Sequence, residues 1–419
     1  MKRMVVITVL LFVLAFTLIS ASVVSGAEKQ IQFPSWMWGE AGVGDWFRDG
    51  AAQFESGKPG VKVVPVLIPA GQYEEKLFID MAGGGAPDLA AAFTNMLPQL
   101  IRLGLLEPLD DYLANTDWAD NLLPVKSVAE YEGKIYGVPL TASPYGLIYN
   151  KKLLDEAGVG VPTTPEEMLT AARKVKEITG EFGYGFGTRT ADVLEAYIPL
   201  MSWAIGFGGD FSKDGVPTAN DPKTVEGLEF LKRFYDEDLT PKGLDGPMLR
   251  KMFVEGKVAM IIDGPWAITY VQEEAAELYP YVGYAAPPTP THAAITGGGF
   301  YVIPANARNK QEAFELMSIY NQKEMQRRWL EELLQIPGQV VEPSPEFLSK
   351  HAWVGGMMDV AAKYPAGFGY AAPGFEEQAG EVQRMVVDGI ARVWGGQASV
   401  KEAMDDVQAR MVKWASTLK

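Results

Sequence analysis

The sequence predicts an α/β fold with largely parallel sheets, in a chain long enough for two domains. Three observations carry this. Short apolar runs such as Val258–Ile262 alternate with segments of helical periodicity. The 419 residues suffice for two separate cores. No repeat of about 20–50 residues and no low-complexity tract points to another architecture.

The elements follow in order. Lys2 and Arg3 precede an apolar run from Met4 to Ile19, and small residues end at Ser25-Gly26-Ala27. This pattern predicts a secretory leader over residues 1–27, cleaved before Glu28. The alternative is a retained anchor, since the run approaches the ~20 residues that span a bilayer. No Cys follows the run, so no lipid can be attached to a mature N-terminal Cys. Ile31–Phe33 and Val61–Ile68 read as strands, the second weakened by Pro65. Tyr73–Ala82 reads as an amphipathic helix with Leu77, Phe78 and Met81 on one face, and Pro87–Ala92 as a strand. Thr164-Pro165-Glu166-Glu167 predicts a helix start with a capping box between Thr164 and Glu167, the helix ending near Gly180. Asp221-Pro222 starts another helix, turning Val225, Leu228, Leu231 and Phe234 inward. Val258–Ile262 reads as a strand buried on both faces. Asp263-Gly264-Pro265 breaks it and opens a helix, placing Trp266 at a strand-to-helix turn. Asn309–Leu334 reads as one long helical stretch, and Val400–Ser416 as the last helix.

Composition narrows the chemistry. Zero Cys excludes disulfides, thiol nucleophiles and Cys-based metal sites, so stability must come from packing. With 37 Lys+Arg against 53 Asp+Glu, the net charge is −16, and the leader holds two of the positive charges. An acidic surface argues against nucleic acid or anionic membrane as a partner. His292 and His351 lie far apart without ligand spacing, which argues against a His-based triad or zinc site. Gly183-Tyr-Gly185-Phe-Gly187 lacks dinucleotide-binding spacing and reads as a turn. There is no Gly-Lys-Ser/Thr phosphate loop. Arg327 and Arg328 read as a solvated helix face, and the loop residue Arg189 as structural. No pair of carboxylates stands out as the acid and nucleophile of a glycosidase. No catalytic residue, cofactor or metal is expected.

Aromatic residues gather near predicted turns: Trp36, Trp38, Phe93, Tyr145, Trp203, Trp266, Phe300, Tyr301, Trp353 and Tyr370. Sugars offer C–H faces for stacking and hydroxyl rims for hydrogen bonds, so a sugar site needs aromatic plates and short polar side chains. Each of these residues has two readings, a plate at a ligand site or a lid on the core. Trp266 stands at the sheet edge where open α/β folds bind ligands. Asp263 either accepts sugar hydroxyls or caps the helix that follows.

The chain resembles the family 1 extracellular solute-binding proteins, the maltose-binding-protein-like receptors of ABC importers. Gly256-x-x-Ala259-Met260-x-x-x-Gly264-Pro265-Trp266 matches the segment by which that family presents a tryptophan to ligand. Pro59-Gly60-Val61-Lys62-Val63, Gly84-Gly85-Ala86-Pro87-Asp88-Leu89, Tyr136-Gly137-Val138-Pro139 with Tyr149-Asn150-Lys151, and Gly297-Gly298-Gly299-Phe300 with Pro304 fall in the family's order. The resemblance implies a two-lobed periplasmic-binding-protein fold, each lobe a mostly parallel sheet flanked by helices, with a ligand cleft between. Chain crossings are expected near Ala142, Pro287 and Pro337, so that one lobe takes residues 28–142 plus 288–337 and the other 143–287 plus 338–419. Ala286-Pro287-Pro288-Thr289-Pro290 suits a stiff connector. The implied function is capture of a carbohydrate, a di- or oligosaccharide, by hinge closure, with delivery to an ABC permease from the periplasm or cell exterior. The same fold tuned to a polyamine, glycerol phosphate or metal, or an exported glycoside hydrolase, are the other readings. The candidate ligand-binding residues are Trp266, Asn95, Tyr145, Phe300, Gly298, Trp36, Trp38, Trp203, Asp263, Trp353 and Tyr370. A monomer is expected.

Overall fold

The computed structural model describes residues 29–40 and 42–418. The expected leader and its cleavage point lie outside the described residues. Strands assemble into two main sheets. In the first, Ala90–Phe93 and Val138–Pro144 flank Ala294–Val302, and Ile336–Pro337 pairs with the outer side of Val138–Pro144. Lys29–Ser35 and Val61–Leu67 form a parallel pair beside it. The carbonyl of Gln32 accepts the amides of Asp88 and Leu89 and so ties that pair to the sheet. Pro65 is tolerated because Val61–Leu67 pairs on one side alone, as an edge strand. The second sheet runs Val282–Ala285, Gly146–Asn150, Val258–Asp263, Phe182–Gly185.

These sheets are mixed, which corrects the expectation of largely parallel ones. Ala294–Val302 is antiparallel to both long neighbours, and so is Gly146–Asn150. The cause is the path of the chain. Val138–Pro144 and Gly146–Asn150 are two halves of one run, one half in each sheet, with Tyr145 at the joint. The return run goes from Val282–Ala285 in the second sheet through 286–293 to Ala294–Val302 in the first. Outgoing and returning runs lie side by side in opposite directions, so they pair antiparallel. Parallel pairing persists where a helix intervenes, as between Phe182–Gly185 and Val258–Asp263. A third passage follows Ile336–Pro337. Helix Trp353–Lys363 there packs on strands of both sheets, and Pro365–Ala366 then pairs with Ala294–Ile295.

Two helical expectations change in detail. Helix Pro165–Thr179 starts with the Thr164 hydroxyl accepting the Glu167 amide, and left-handed Gly180 ends it. The Glu167 carboxylate, however, reaches back to the amide and hydroxyl of Thr163, one residue further than a capping box requires. The 309–334 stretch is two helices, Lys310–Tyr320 and Lys323–Leu333. The Met317 carbonyl accepts both the backbone N–H and the side-chain amide of Asn321, and Gln326 donates its side-chain amide to the Tyr320 carbonyl, so side chains brace the break.

Four candidate site aromatics belong to the core. Trp38 is buried, donates its indole N–H to the Phe33 carbonyl at 2.7 Å and packs edge-on against that ring. Trp203 is wholly buried, donates to the Tyr184 hydroxyl at 3.1 Å and stacks on Phe230 at 5.4 Å. Trp353 is buried with its indole on the Tyr279 hydroxyl at 2.9 Å. Phe300 is fully buried in the first sheet's core. Each of the three indole N–H groups finds its partner inside the protein, which is what allows the ring to be buried.

Trp203 reports on the core alone. Replacing it by Ala opens a cavity and leaves the Tyr184 hydroxyl without its donor; the expected cost is about 3–5 kcal/mol. Urea denaturation measures this, and a cost below about 1 kcal/mol would show that the ring is not the keystone of its cluster.

Candidate functional site

A cavity of about 870 Å³ lies between the two sheets, within the size range of small-molecule sites. Its walls combine aromatic rings with short polar groups. The second sheet contributes Trp266. Strand Val258–Asp263 ends in Asp263-Gly264-Pro265, and Trp266 is the first residue of helix Trp266–Glu274. Asp263 does not cap that helix through its side chain. Its carboxylate accepts two hydrogen bonds from Arg250, at 2.7 and 3.2 Å, and one from the Gly264 amide at 2.7 Å. Burial raises the Asp263 pKa, and Arg250 pulls it back only in part. The Arg250 guanidinium lies 6.0 Å from the centre of the Trp266 ring and also faces Glu195 at 3.8 Å. Tyr145 meets the same ring edge-on at 5.3 Å, and its hydroxyl lies 3.2 Å from that of Tyr370. Burial holds both phenols above their ordinary pKa, so they act as neutral hydroxyls.

The first sheet supplies the opposite wall. Trp36 stacks on Phe93 at 3.8 Å, and both line the cavity. Asn95 follows in the turn after Ala90–Phe93 and donates to the Glu74 carboxylate at 3.1 Å. The adjoining Thr94 hydroxyl donates to the Gly298 carbonyl at 3.0 Å, fixing the turn to the central strand. Gly298 must be glycine: its φ is +155°, and a Cβ there would stand 2.2 Å from the Thr141 carbonyl oxygen. The loop carrying Tyr370 is wound through left-handed conformations at Gly367, Gly369 and Tyr370 itself, a strained arrangement for tyrosine. Gln383 holds it by donating to the Tyr370 carbonyl at 3.0 Å. A Cβ at Gly369 would lie 3.3 Å from the Asn95 backbone, so the two walls touch there.

Of the candidate residues, the cavity brings together Trp266, Asn95, Gly298, Trp36 and Tyr370. Tyr145 and Asp263 lie behind them as supports. Phe300, Trp38, Trp203 and Trp353 stand apart in the core. Sequence reasoning missed Glu40, Glu74, Thr269, Glu376 and Gln383, which also line the walls. Such residues are usual on any protein surface, and nothing in their local pattern marks them out. Among the described residues the lining carries three carboxylates, Glu40, Glu74 and Glu376, and no Lys, Arg or His. No group of three or more His, Asp or Glu among the described residues is placed to hold a metal. No helix among them is long and apolar enough to cross a membrane.

A family model described as bacterial extracellular solute-binding protein matches residues 50–346. A Brucella abortus (strain 2308) protein named as a binding protein is 28% identical over 344 residues, covering 80% of this chain and 82% of its own. A galactooligosaccharide-binding protein of Bacillus subtilis is 26% identical over 321 residues, 72% of each chain. The GacH receptor of Streptomyces glaucescens, solved unliganded and with acarbose, superposes with a TM-score of 0.73 at 26% identity, covering 93% of this chain and 99% of its own.

The pair behind Trp266 makes a testable case. Arg250→Ala leaves the Asp263 carboxylate buried without its cation, at an expected cost of about 3–5 kcal/mol near neutral pH. With Arg250 gone, burial raises the Asp263 pKa further. A carboxyl whose folded pKa lies above its unfolded one stabilises below the unfolded value, and that stability is lost as pH rises through the folded pKa. The variant should therefore be more stable at about pH 5 than at about pH 8, by more than the parent is. Chemical denaturation at both pH values checks this; equal losses at both would mean that Asp263 is already protonated or solvated.

Proposed function

Because the chain belongs to the bacterial extracellular solute-binding proteins, we propose that it captures a carbohydrate, a di- or oligosaccharide, by closing two lobes over it. The observation that carries this reading is Trp266, a half-buried indole held from behind by Arg250, Asp263 and Tyr145, beside polar side chains in one cavity. A flat plate beside short hydroxyl and amide groups suits a sugar face and its rim. The acarbose complex of the Streptomyces receptor and the galactooligosaccharide named for the Bacillus relative support the same ligand class.

The lobes proposed are 28–142 plus 288–337 and 143–287 plus 338–419, hinged about Tyr145, residues 286–293 and the segment after Pro337. A ligand held between Asn95 and Trp36 on one side and Trp266 and Tyr370 on the other binds the closed form better than the open one, and this differential affinity drives closure. The closed monomer then delivers its cargo from outside the membrane to an ABC permease. It acts as a binding protein, without chemistry of its own.

The lining favours one second reading. Carboxylates at Glu40, Glu74 and Glu376, with no Lys, Arg or His among the described lining residues, also suit a polyamine. Thermal shift against mono-, di- and oligosaccharides, with spermidine alongside, separates the two, because a ligand of the native state raises the melting point. A sugar-specific shift is expected, and Trp266→Ala should weaken that binding about 10- to 100-fold. A shift with spermidine alone would replace the sugar reading, and undiminished sugar binding in Trp266→Ala would move the site.

A further inference from the structure

A smaller chamber of about 290 Å³ adjoins the main cavity and shares Thr94, Asn95 and Glu376 with it. Ser127, Phe368 and Asp210 also line it. Asp210 follows Gly208-Gly209, and its backbone is pinned: the hydroxyls of Thr218 and Thr224 both donate to its carbonyl at 2.9 Å. Its carboxylate accepts the Phe211 amide at 2.7 Å. Burial nevertheless pushes its pKa up to about 7, against the pull of the Phe211 and Ser212 amides. Tyr197 lies close enough to feel that charge, and its buried hydroxyl has no hydrogen-bond partner among the described residues. A carboxylate in such a place gains from further hydroxyl donors. Among the described residues no Lys or Arg lines the chamber.

Resting on the carbohydrate reading above, we infer that this chamber is a subsite for an additional unit of an oligosaccharide. Asp210 accepts its hydroxyls, and Phe368 offers the ring against which its apolar face lies. The chamber has the composition of the main cavity in miniature: one half-buried aromatic, an amide, two hydroxyls and two carboxylates. It touches segments of both lobes, so a unit seated there also favours the closed form. Affinity then depends on length, and a disaccharide confined to the main cavity forgoes this contact.

The test is calorimetric titration with maltose, maltotriose and maltotetraose, and with chitin and β-1,4-galactan oligomers of the same lengths. The readout is the ratio of tetrasaccharide to disaccharide affinity within one series. Parent protein should show a ratio of at least about tenfold. Asp210→Asn should reduce it. Ser127→Trp, at an exposed position on the mouth, should fill the chamber and bring it close to one. Binding without a gain from length, or a gain that survives both substitutions, overturns the subsite and leaves the main site standing. Failure of every oligomer to bind overturns the carbohydrate reading and the subsite together.

Discussion

The site depends on one buried ion pair. Asp263 ends a strand buried on both faces, where a lone carboxylate would be costly. Arg250 meets it with two hydrogen bonds from the preceding helix, Gly246–Val254. That pair fixes the turn on which Trp266 stands and places a cation behind the indole. Tyr145 closes on the ring from the joint between the sheets, and Tyr370 reaches Tyr145 from a distant part of the chain. Three parts of the chain far apart in sequence, at Tyr145, Arg250–Trp266 and Tyr370, thus converge around one plate.

The opposite wall is governed by close approach. Gly298 lets the central strand run against Thr141 where no side chain fits, and this permits the Thr94 hydroxyl to reach the Gly298 carbonyl. Gly369 does the same where the Tyr370 loop meets Asn95. The left-handed backbone at Tyr370 is strained, and the hydrogen bonds of its hydroxyl and carbonyl hold it in place. The walls are therefore defined by backbone contact, while the rims carry the polar side chains.

The aromatic residues show how far the sequence could be read. Trp266 was legible because a strand, a break and a helix start surround it. Trp203 and Trp353 also stand near turns, yet their indole N–H groups are answered internally by Tyr184 and Tyr279. Those tyrosines are 19 and 74 residues away, so no local pattern could separate plate from core. The mixed sheets have a similar cause. Apolar runs announce strands, but their direction depends on which strand they meet, and that follows from the crossings between lobes.

The sequence by itself determined the alternation of strands and helices, several helix caps, the absence of cysteine chemistry, the acidic surface and the Gly-Pro-Trp turn. These rest on local propensity and on composition, which need no partner. Only the tertiary structure decided which aromatics are exposed to the cavity, which carboxylates face it and where the walls touch. Glu74, Glu376 and Asp210 look alike as residues of exposed or loop segments. Their roles arise from long-range packing, because the space they share does not exist until chain segments distant in sequence are brought together.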